Sequence, residues 1–217
     1  MKNYLSFCVA ACFLFLFTQC SKDDSSPQPT TADYSPLTVG STWTYSSTEG
    51  DLDSTTFTVT VIDKDSAING KNYKVLSSSD GVNRYMAKIG SDYYRFSSFP
   101  AIGVDGFEEL YLKDNQTVNA TWADTASFTF SGATLTANLN YTIKEKGVSH
   151  VTNGKTYNNV ITVRLDLSLL GTVLGGGTFY YADGVGLIED QITVTPPPLT
   201  GGSPYTSTQK LVSYEIK

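Results

Sequence analysis

The sequence predicts an all-β chain, folded as a single antiparallel barrel or strongly curved half-barrel of about 11 strands. Three observations lead there. From Thr42 onward, apolar residues recur at every second position instead of at helical spacing. Thr, Val, Tyr and Phe, which suit a pleated and half-buried surface, fill those runs. Asn-Gly and Asp-Gly pairs, which supply the positive φ angles of tight hairpins, separate them at short intervals.

Taken in order, the first strand opens at Pro36-Leu37-Thr38-Val39-Gly40-Ser41-Thr42-Trp43-Thr44-Tyr45, with Trp43 and Tyr45 on one face. In Thr56 to Val61, Phe57, Val59 and Val61 face one way and the threonines the other. Phe107 to Asp114 is the one rival for a helix, but Leu110 and Leu112 flanking Tyr111 favour a strand. Leu139, Tyr141 and Ile143 alternate with polar residues, and so do Ile161, Val163, Leu165, Leu167 and Leu169. One apolar and one polar face is the mark of an antiparallel sheet wet on one side. Leu169 to Thr178 reads either as a strand continuing to Leu174 before a Gly-rich turn or as a mobile lip over a cavity. Pro196 to Tyr205 reads as a long hairpin loop, because its prolines donate no ladder bonds. The last strand is expected to place Val212, Tyr214 and Ile216 together.

Two organisations stay open: one continuous meander, or two duplicated halves. Thr38 to Trp43 matches Thr117 to Trp122 at an offset of 79, and the chain has only 2 Trp. Asn69 to Tyr73 matches Asn153 to Tyr157 at an offset of 84, and Tyr93-Tyr94 pairs with Tyr180-Tyr181 at an offset of 87.

Composition narrows the chemistry. The chain has 217 residues, a formal net charge of −6, 3 Cys and a single His, with every Cys at or before position 20. The rest of the chain therefore offers no disulfide framework and no cysteine nucleophile. One His provides no multi-histidine metal site, so no metal and no cofactor is expected. An acidic balance without basic clusters argues against nucleic acid. The 23 Ser and 28 Thr form the wet faces of the strands and part of a tether.

The N-terminus reads as an address. Lys2 is followed by an apolar run from Phe7 to Phe17, 11 residues long, too short to span a bilayer and of the length of a signal-peptide core. Residues 1–19 are thus expected to be a signal peptide, 20–33 an anchor and flexible tether, and 34–217 one all-β domain. Phe17-Thr18-Gln19-Cys20 resembles the lipobox of bacterial lipoproteins, with Gln19 where a small residue is common. The resemblance implies acylation of Cys20, palmitate included, and a membrane partner held through that lipid. Each buried methylene contributes about 0.8 kcal/mol, so several chains anchor stably. Lys22, Asp23 and Asp24 resemble the export stretch of surface lipoproteins of Bacteroidota, which implies the outer membrane, facing the cell exterior.

Two further patterns resemble uncharacterised outer-membrane lipoproteins of Bacteroidota. Pro36 to Tyr45 follows a PLxxGxxWxY opening, and Tyr180-Tyr181-Ala182-Asp183-Gly184-Val185-Gly186-Leu187-Ile188-Glu189 a YYAxGVGLIE hairpin. The resemblance implies an all-β fold and a secreted address, without catalytic residues.

The candidates for chemistry are few. His150 lies near Gly147 and Asn153-Gly154 and reads as an exposed turn residue; a Ser-His-Asp triad would need it, and no G-x-S-x-G elbow supplies a serine. Glu108 and Glu109 are adjacent, so on a strand they point to opposite faces and cannot line one cleft as a glycosidase pair does. Asp63 and Asp65 read as a solvated hairpin end, and Asp51 and Asp53 match no calcium loop. The outward rings of the paired tyrosines are candidates for stacking on sugars or on a partner.

No catalytic residue is expected. The leading expectation is a lipid-anchored, cell-surface, non-enzymatic binding module, with a small apolar or sugar ligand held in the curved sheet or at its loop rim. The alternatives are an assembly component that binds a surface protein partner and, more remotely, a hydrolase of surface polymers. An interior filled solidly by Phe57, Phe128, Phe130, Tyr141 and Leu165 would exclude the cavity.

Overall fold

The computed structural model describes residues 32–99, 104–130, 133–195 and 203–217. Cys20, Lys22, Asp23, Asp24 and most of the Pro196 to Tyr205 loop lie outside the described residues. The chain separates into Met1–Thr31 and Ala32–Lys217, and the second unit carries the described fold.

Among the described residues there is no helix. Twelve strands run in chain order: β1 (Thr42–Glu49), β2 (Thr55–Ile68), β3 (Lys71–Ser78), β4 (Arg84–Ile89), β5 (Asp92–Phe99), β6 (Val104–Lys113), β7 (Thr121–Phe130), β8 (Ala133–Thr152), β9 (Lys155–Leu169), β10 (Thr172–Ala182), β11 (Gly186–Val194) and β12 (Tyr205–Glu215). All pairings are antiparallel, in the order β6-β5-β4-β3-β2-β1-β12-β11-β10-β9-β8-β7. The result is a nearly closed barrel with one more strand than expected. Phe107 to Asp114 is a strand, as the alternation at Leu110 and Leu112 indicates.

The halves β1–β6 and β7–β12 repeat one plan. Gly40 and Asn119 both have positive φ, 89° and 69°. The Gly40 amide donates to the Val61 carbonyl at 2.9 Å and the Asn119 amide to the Ile143 carbonyl at 2.8 Å. In return, the Val61 amide bonds Ser41 O at 2.9 Å and the Ile143 amide bonds Ala120 O at 3.0 Å. The hairpins at Asn69-Gly70 and Asn153-Gly154 have matching φ pairs, 49°/76° and 47°/73°. Trp43 and Trp122 each stand second in their strand, β1 and β7. The tyrosine pairs do not fit the plan: Tyr93-Tyr94 lies in the fifth strand of its half and Tyr180-Tyr181 in the fourth of its own.

The duplication makes the β12–β1 junction equivalent to the β6–β7 junction, but the two are built differently. β1 and β12 form a ladder from Thr42↔Glu215 to Glu49↔Ser207. β6 and β7 are the two edges of the sheet. Side chains span this seam: Trp122 Nε1 donates to the Leu110 carbonyl at 2.7 Å, and the Leu110 amide donates to Asp124 Oδ2 at 3.0 Å. An edge strand otherwise presents unpaired backbone groups, and here these two side chains satisfy part of that edge.

The long hairpins reach strands beyond their ladder neighbours. β8 carries register irregularities between Ile143 and His150, with Gly147 at φ 73°; such bulges bend a strand. The turned end bonds β12 through Asn153 Nδ2 to the Leu211 carbonyl at 2.8 Å. In the other half, Lys71 and Tyr73 of β3 bond Glu108 of β6 at 2.5 and 2.7 Å.

Apolar side chains gather in two clusters. One joins Tyr93, Leu112, Leu139, Tyr141 and Ile143; the other joins Trp43, Val61, Ile188 and Leu211. The expected face of the last strand is corrected here. Leu211 is fully buried, whereas Val212 and Tyr214 are 42% exposed. Thr44 pairs with Ser213 and Tyr45 with Leu211, so Val212 is an extra residue that shifts the alternation.

Candidate functional site

The barrel interior is hollow. One chamber of about 520 Å³ is lined by aromatic side chains, including Trp43, Tyr45, Tyr111 and Tyr181. A second, of about 660 Å³, has an aliphatic wall of Leu139, Leu165, Leu167, Ile192 and Val194. Phe57, Arg84, Asp190 and Gln209 line both. Phe57 and Leu165 therefore form walls and do not fill the space. Each chamber has the size and largely apolar lining of a small-molecule site.

Local sequence sets the two ends. The second chamber reaches the exposed residues Glu49, Thr55, Ser79 and Asp80, at the β1–β2 and β3–β4 hairpin ends. The opposite end of the first chamber is floored by the segment before β1. Tyr34 and Ser35 of that segment are buried and line the chamber. The Tyr34 amide bonds Tyr93 Oη at 3.2 Å, Lys88 Nζ bonds the Ala32 carbonyl at 3.1 Å, and the Gly184 amide bonds the Asp33 carbonyl at 2.8 Å.

The two sequence patterns marked by resemblance meet at this floor. Trp43 Nε1 donates to the Val185 carbonyl at 2.7 Å, and Tyr45 Oη to the Leu187 carbonyl at 3.0 Å. Gly184 and Gly186 turn with φ 69° and 100°. A Cβ on Gly186 would lie 3.6 Å from the Tyr34 carbonyl oxygen, so the hairpin and the entering segment pack at van der Waals distance. The patterns thus hold the closed end of the barrel together.

The Gly-rich stretch is neither a turn nor a lip. The turn is Leu170-Gly171, and Gly175 to Gly177 lie within β10. A Cβ on Gly176, at φ 155°, would stand 1.9 Å from the Leu165 carbonyl oxygen. Only glycine brings β10 this close to β9 there, and Gly176 lines the second chamber.

Besides Arg84, three further charged groups, Arg95, Glu109 and Asp190, lie inside. Arg95 donates to Glu109 through Nε at 2.5 Å and Nη2 at 2.9 Å, and Tyr141 Oη adds a short bond to Glu109, which is fully buried. Two parallel bonds of this kind are strong and fix geometry. Burial alone would lower the Arg95 pKa, but the facing Glu109 carboxylate more than reverses this and holds it above its usual value. The guanidinium also lies over the Tyr111 ring at 5.4 Å and the Phe179 ring at 5.3 Å. Asp190 is 7% exposed. Burial raises its pKa to about 7, with Arg95 opposing and Glu189 reinforcing the rise. No pattern in the sequence marks Arg95 or Asp190; Glu189 and Asp190 are both buried, on opposite faces of β11, which is visible only once the register is known.

Glu108 and Glu109 diverge as strand geometry requires: Glu108 bonds Lys71 and Tyr73, and Glu109 bonds Arg95 and Tyr141. Asp65 pairs with Lys74 at the surface, at 2.7 Å. His150 is not the exposed turn residue expected. It stands in β8, stacked on Tyr180 with centroids 3.9 Å apart, and bonds Glu189 Oε2 at 3.1 Å. The bulges of β8 place it there, and it lies on the face of β11 opposite to Asp190. Tyr93 and Tyr181 are the inward rings of their pairs. The outward rings are covered, Tyr94 by Lys71 at 4.6 Å and Tyr180 by His150. Among the described residues, no group of three or more His, Cys, Asp or Glu is arranged to hold a metal ion.

No family model matches the sequence, and no curated protein matches it. Among solved structures, the chain is similar to a candidate lipoprotein from Parabacteroides distasonis, at 12% identity and a TM-score of 0.49, over 86% of this chain and 100% of that one. It is also similar to the hypothetical lipoprotein YmcC from Escherichia coli, at 9% identity and a TM-score of 0.41, over 80% of this chain and 83% of that one.

Proposed function

We propose that this chain is a lipid-anchored, outward-facing outer-membrane protein that binds a small ligand inside its barrel without catalysis. The observation that carries the binding reading is the pair of chambers of about 520 and 660 Å³, open beside Glu49 and Asp80 and floored by Tyr34. A barrel either packs its interior with side chains or encloses a ligand, and two apolar hollows of this size favour the second. The anchor reading rests on the apolar run of residues 7–17 and on Cys20 directly after it.

Two experiments test these readings. Cys20→Ala in the full chain should release the protein from membranes, and unchanged retention would refute the anchor. Replacing Lys22, Asp23 and Asp24 with Ala should remove access to external protease. For binding, native mass spectrometry of the gently extracted full chain should find a small molecule at one or two copies. Ile192→Trp, which fills part of the second chamber, should reduce its occupancy; an occupancy unaffected by that change would place the molecule elsewhere.

A second reading, an assembly role, is favoured by the exposed apolar side chains at hairpin ends: Leu52 at 69%, Val82 at 58% and Leu170 at 77%. A protein partner recovered at fixed stoichiometry in the same extract, and lost on Leu170→Asp, would support it.

A further inference from the structure

Asp190 is the buried carboxylate in the wall of the hollow interior. The other charges lining the chambers are accounted for. Arg95 is matched by Glu109 through two bonds. Arg84 is matched by Asp80 at 2.7 Å, and Glu49 is exposed at the rim. Asp190 alone among these carboxylates is buried and has neither a hydrogen bond nor an ion pair among the described residues. It stands in the wall common to both chambers. A buried carboxylate without a partner is costly, and here its open side faces the hollow.

The rings around the chambers complete the chemistry. Tyr45 and Phe57 stand as neighbours with centroids 5.6 Å apart, and Tyr181 lies 5.4 Å from Tyr111. All four line the first chamber. Arg84 already lies over the Phe57 ring and Arg95 over the Tyr111 ring, so the four rings contribute chiefly apolar area that shelters a hydrophobic body.

We propose that the interior binds a hydrophobic monoamine, with its ammonium group on Asp190 and its aryl or alkyl body in the aromatic chamber. This rests on the reading of the interior as a binding site. Where Asp190 is ionised, above about pH 7, a monocation compensates its unmatched charge; a neutral alcohol leaves that charge unpaired, and a carboxylate meets Asp190 as a like charge. Because both arginines already have counter-charges, they do not create a demand for an anion.

The test uses the full chain carrying Cys20→Ala, so that acyl chains do not enter the measurement. Phenethylamine, phenethyl alcohol and hydrocinnamate are titrated calorimetrically at about pH 8. The amine should bind at least about tenfold more tightly than the alcohol, a difference of about 1.4 kcal/mol, and hydrocinnamate should bind most weakly. Asp190→Asn should bring the amine to the level of the alcohol while alcohol binding persists, and Asp190→Glu should retain a preference for the amine. Persistence of alcohol binding also shows that Asp190→Asn is folded. Equal binding of amine and alcohol by the parent chain, or an amine preference that survives Asp190→Asn, overturns the amine assignment and leaves the interior site standing. No saturable binding of any of the three probes overturns both.

Discussion

The indole of Trp43 donates its hydrogen to the carbonyl oxygen of Val185 at 2.7 Å, across 142 residues of sequence. This bond ties β1 to the β10–β11 hairpin and holds the floor of the first chamber. Trp43→Phe keeps an aromatic ring but strands the buried carbonyl, at a cost of about 1–3 kcal/mol. Trp122→Phe removes the corresponding bond to Leu110 at the half-buried seam, where water can replace it. Urea unfolding should therefore show a clearly larger loss for Trp43→Phe. Amide exchange should accelerate in β6 and β7 only for Trp122→Phe. Equal losses would show that the seam is as well sealed as the floor.

The Arg95–Glu109 pair is expected to be costly to break and cheap to replace. Glu109→Gln keeps the shape but leaves a guanidinium with 21% side-chain exposure without the carboxylate it is bonded to. Removing one partner of such a pair costs about 3–5 kcal/mol. The double change Arg95→Met with Glu109→Leu should destabilise less than either single change, because it also removes the desolvation cost. A double-mutant cycle that proves additive would show that the pair is not coupled.

Glycine substitutions separate crowding from strain. Gly176→Ala would place a methyl group 1.9 Å from the Leu165 carbonyl oxygen, so β10 must move off β9, with a loss well above about 2 kcal/mol. Gly184→Ala meets nothing within 4 Å and carries only the cost of φ 69°, about 1 kcal/mol. Thermal melts should rank them in that order.

Asp190 predicts a pH dependence of unusual sign. Its pKa is raised from 3.8 to about 7 in the folded chain. Between those values the folded state keeps a proton that the unfolded state releases. The contribution to stability is therefore present at acid pH and lost as the pH rises from about 4 to about 7, and its full span is on the order of 4 kcal/mol. Asp190→Asn should remove this slope, so that the variant gains on the parent chain as the pH rises. A stability difference between parent and variant that is flat from pH 4 to 8 would contradict the assignment.

Much of the architecture follows from local rules that act within a few residues. The alternation in Ile161 to Leu169 is seen directly in β9, where each of those apolar residues is buried. The Asn69-Gly70 and Asn153-Gly154 turns adopt the positive φ pairs that such dipeptides favour. The repeat of the two tryptophans is read from the chain and reappears as two matched strand starts. Divergence of Glu108 and Glu109 needs only the two-residue period of a strand.

Other features depend on which strands meet. One unpaired residue at Val212 turns Leu211 inward and exposes Val212 and Tyr214, against the simple alternation. The bulges of β8 carry His150 from an expected turn to the ring of Tyr180. Gly175 to Gly177 read as a loop because glycine is a turn former; the close approach of β9 and β11 makes them strand residues instead.

By itself, the sequence determined an all-β chain of alternating strands and its hairpin turns, because period and turn chemistry are local properties of the backbone; it left the doubled plan as one of two organisations. Only the tertiary structure decided that the barrel closes at β12–β1 but not at β6–β7, that its interior stays hollow, and that Asp190 faces that hollow without a partner. Those outcomes depend on registers and burial between strands far apart in the chain, and a charge is costly or harmless only according to what finally surrounds it.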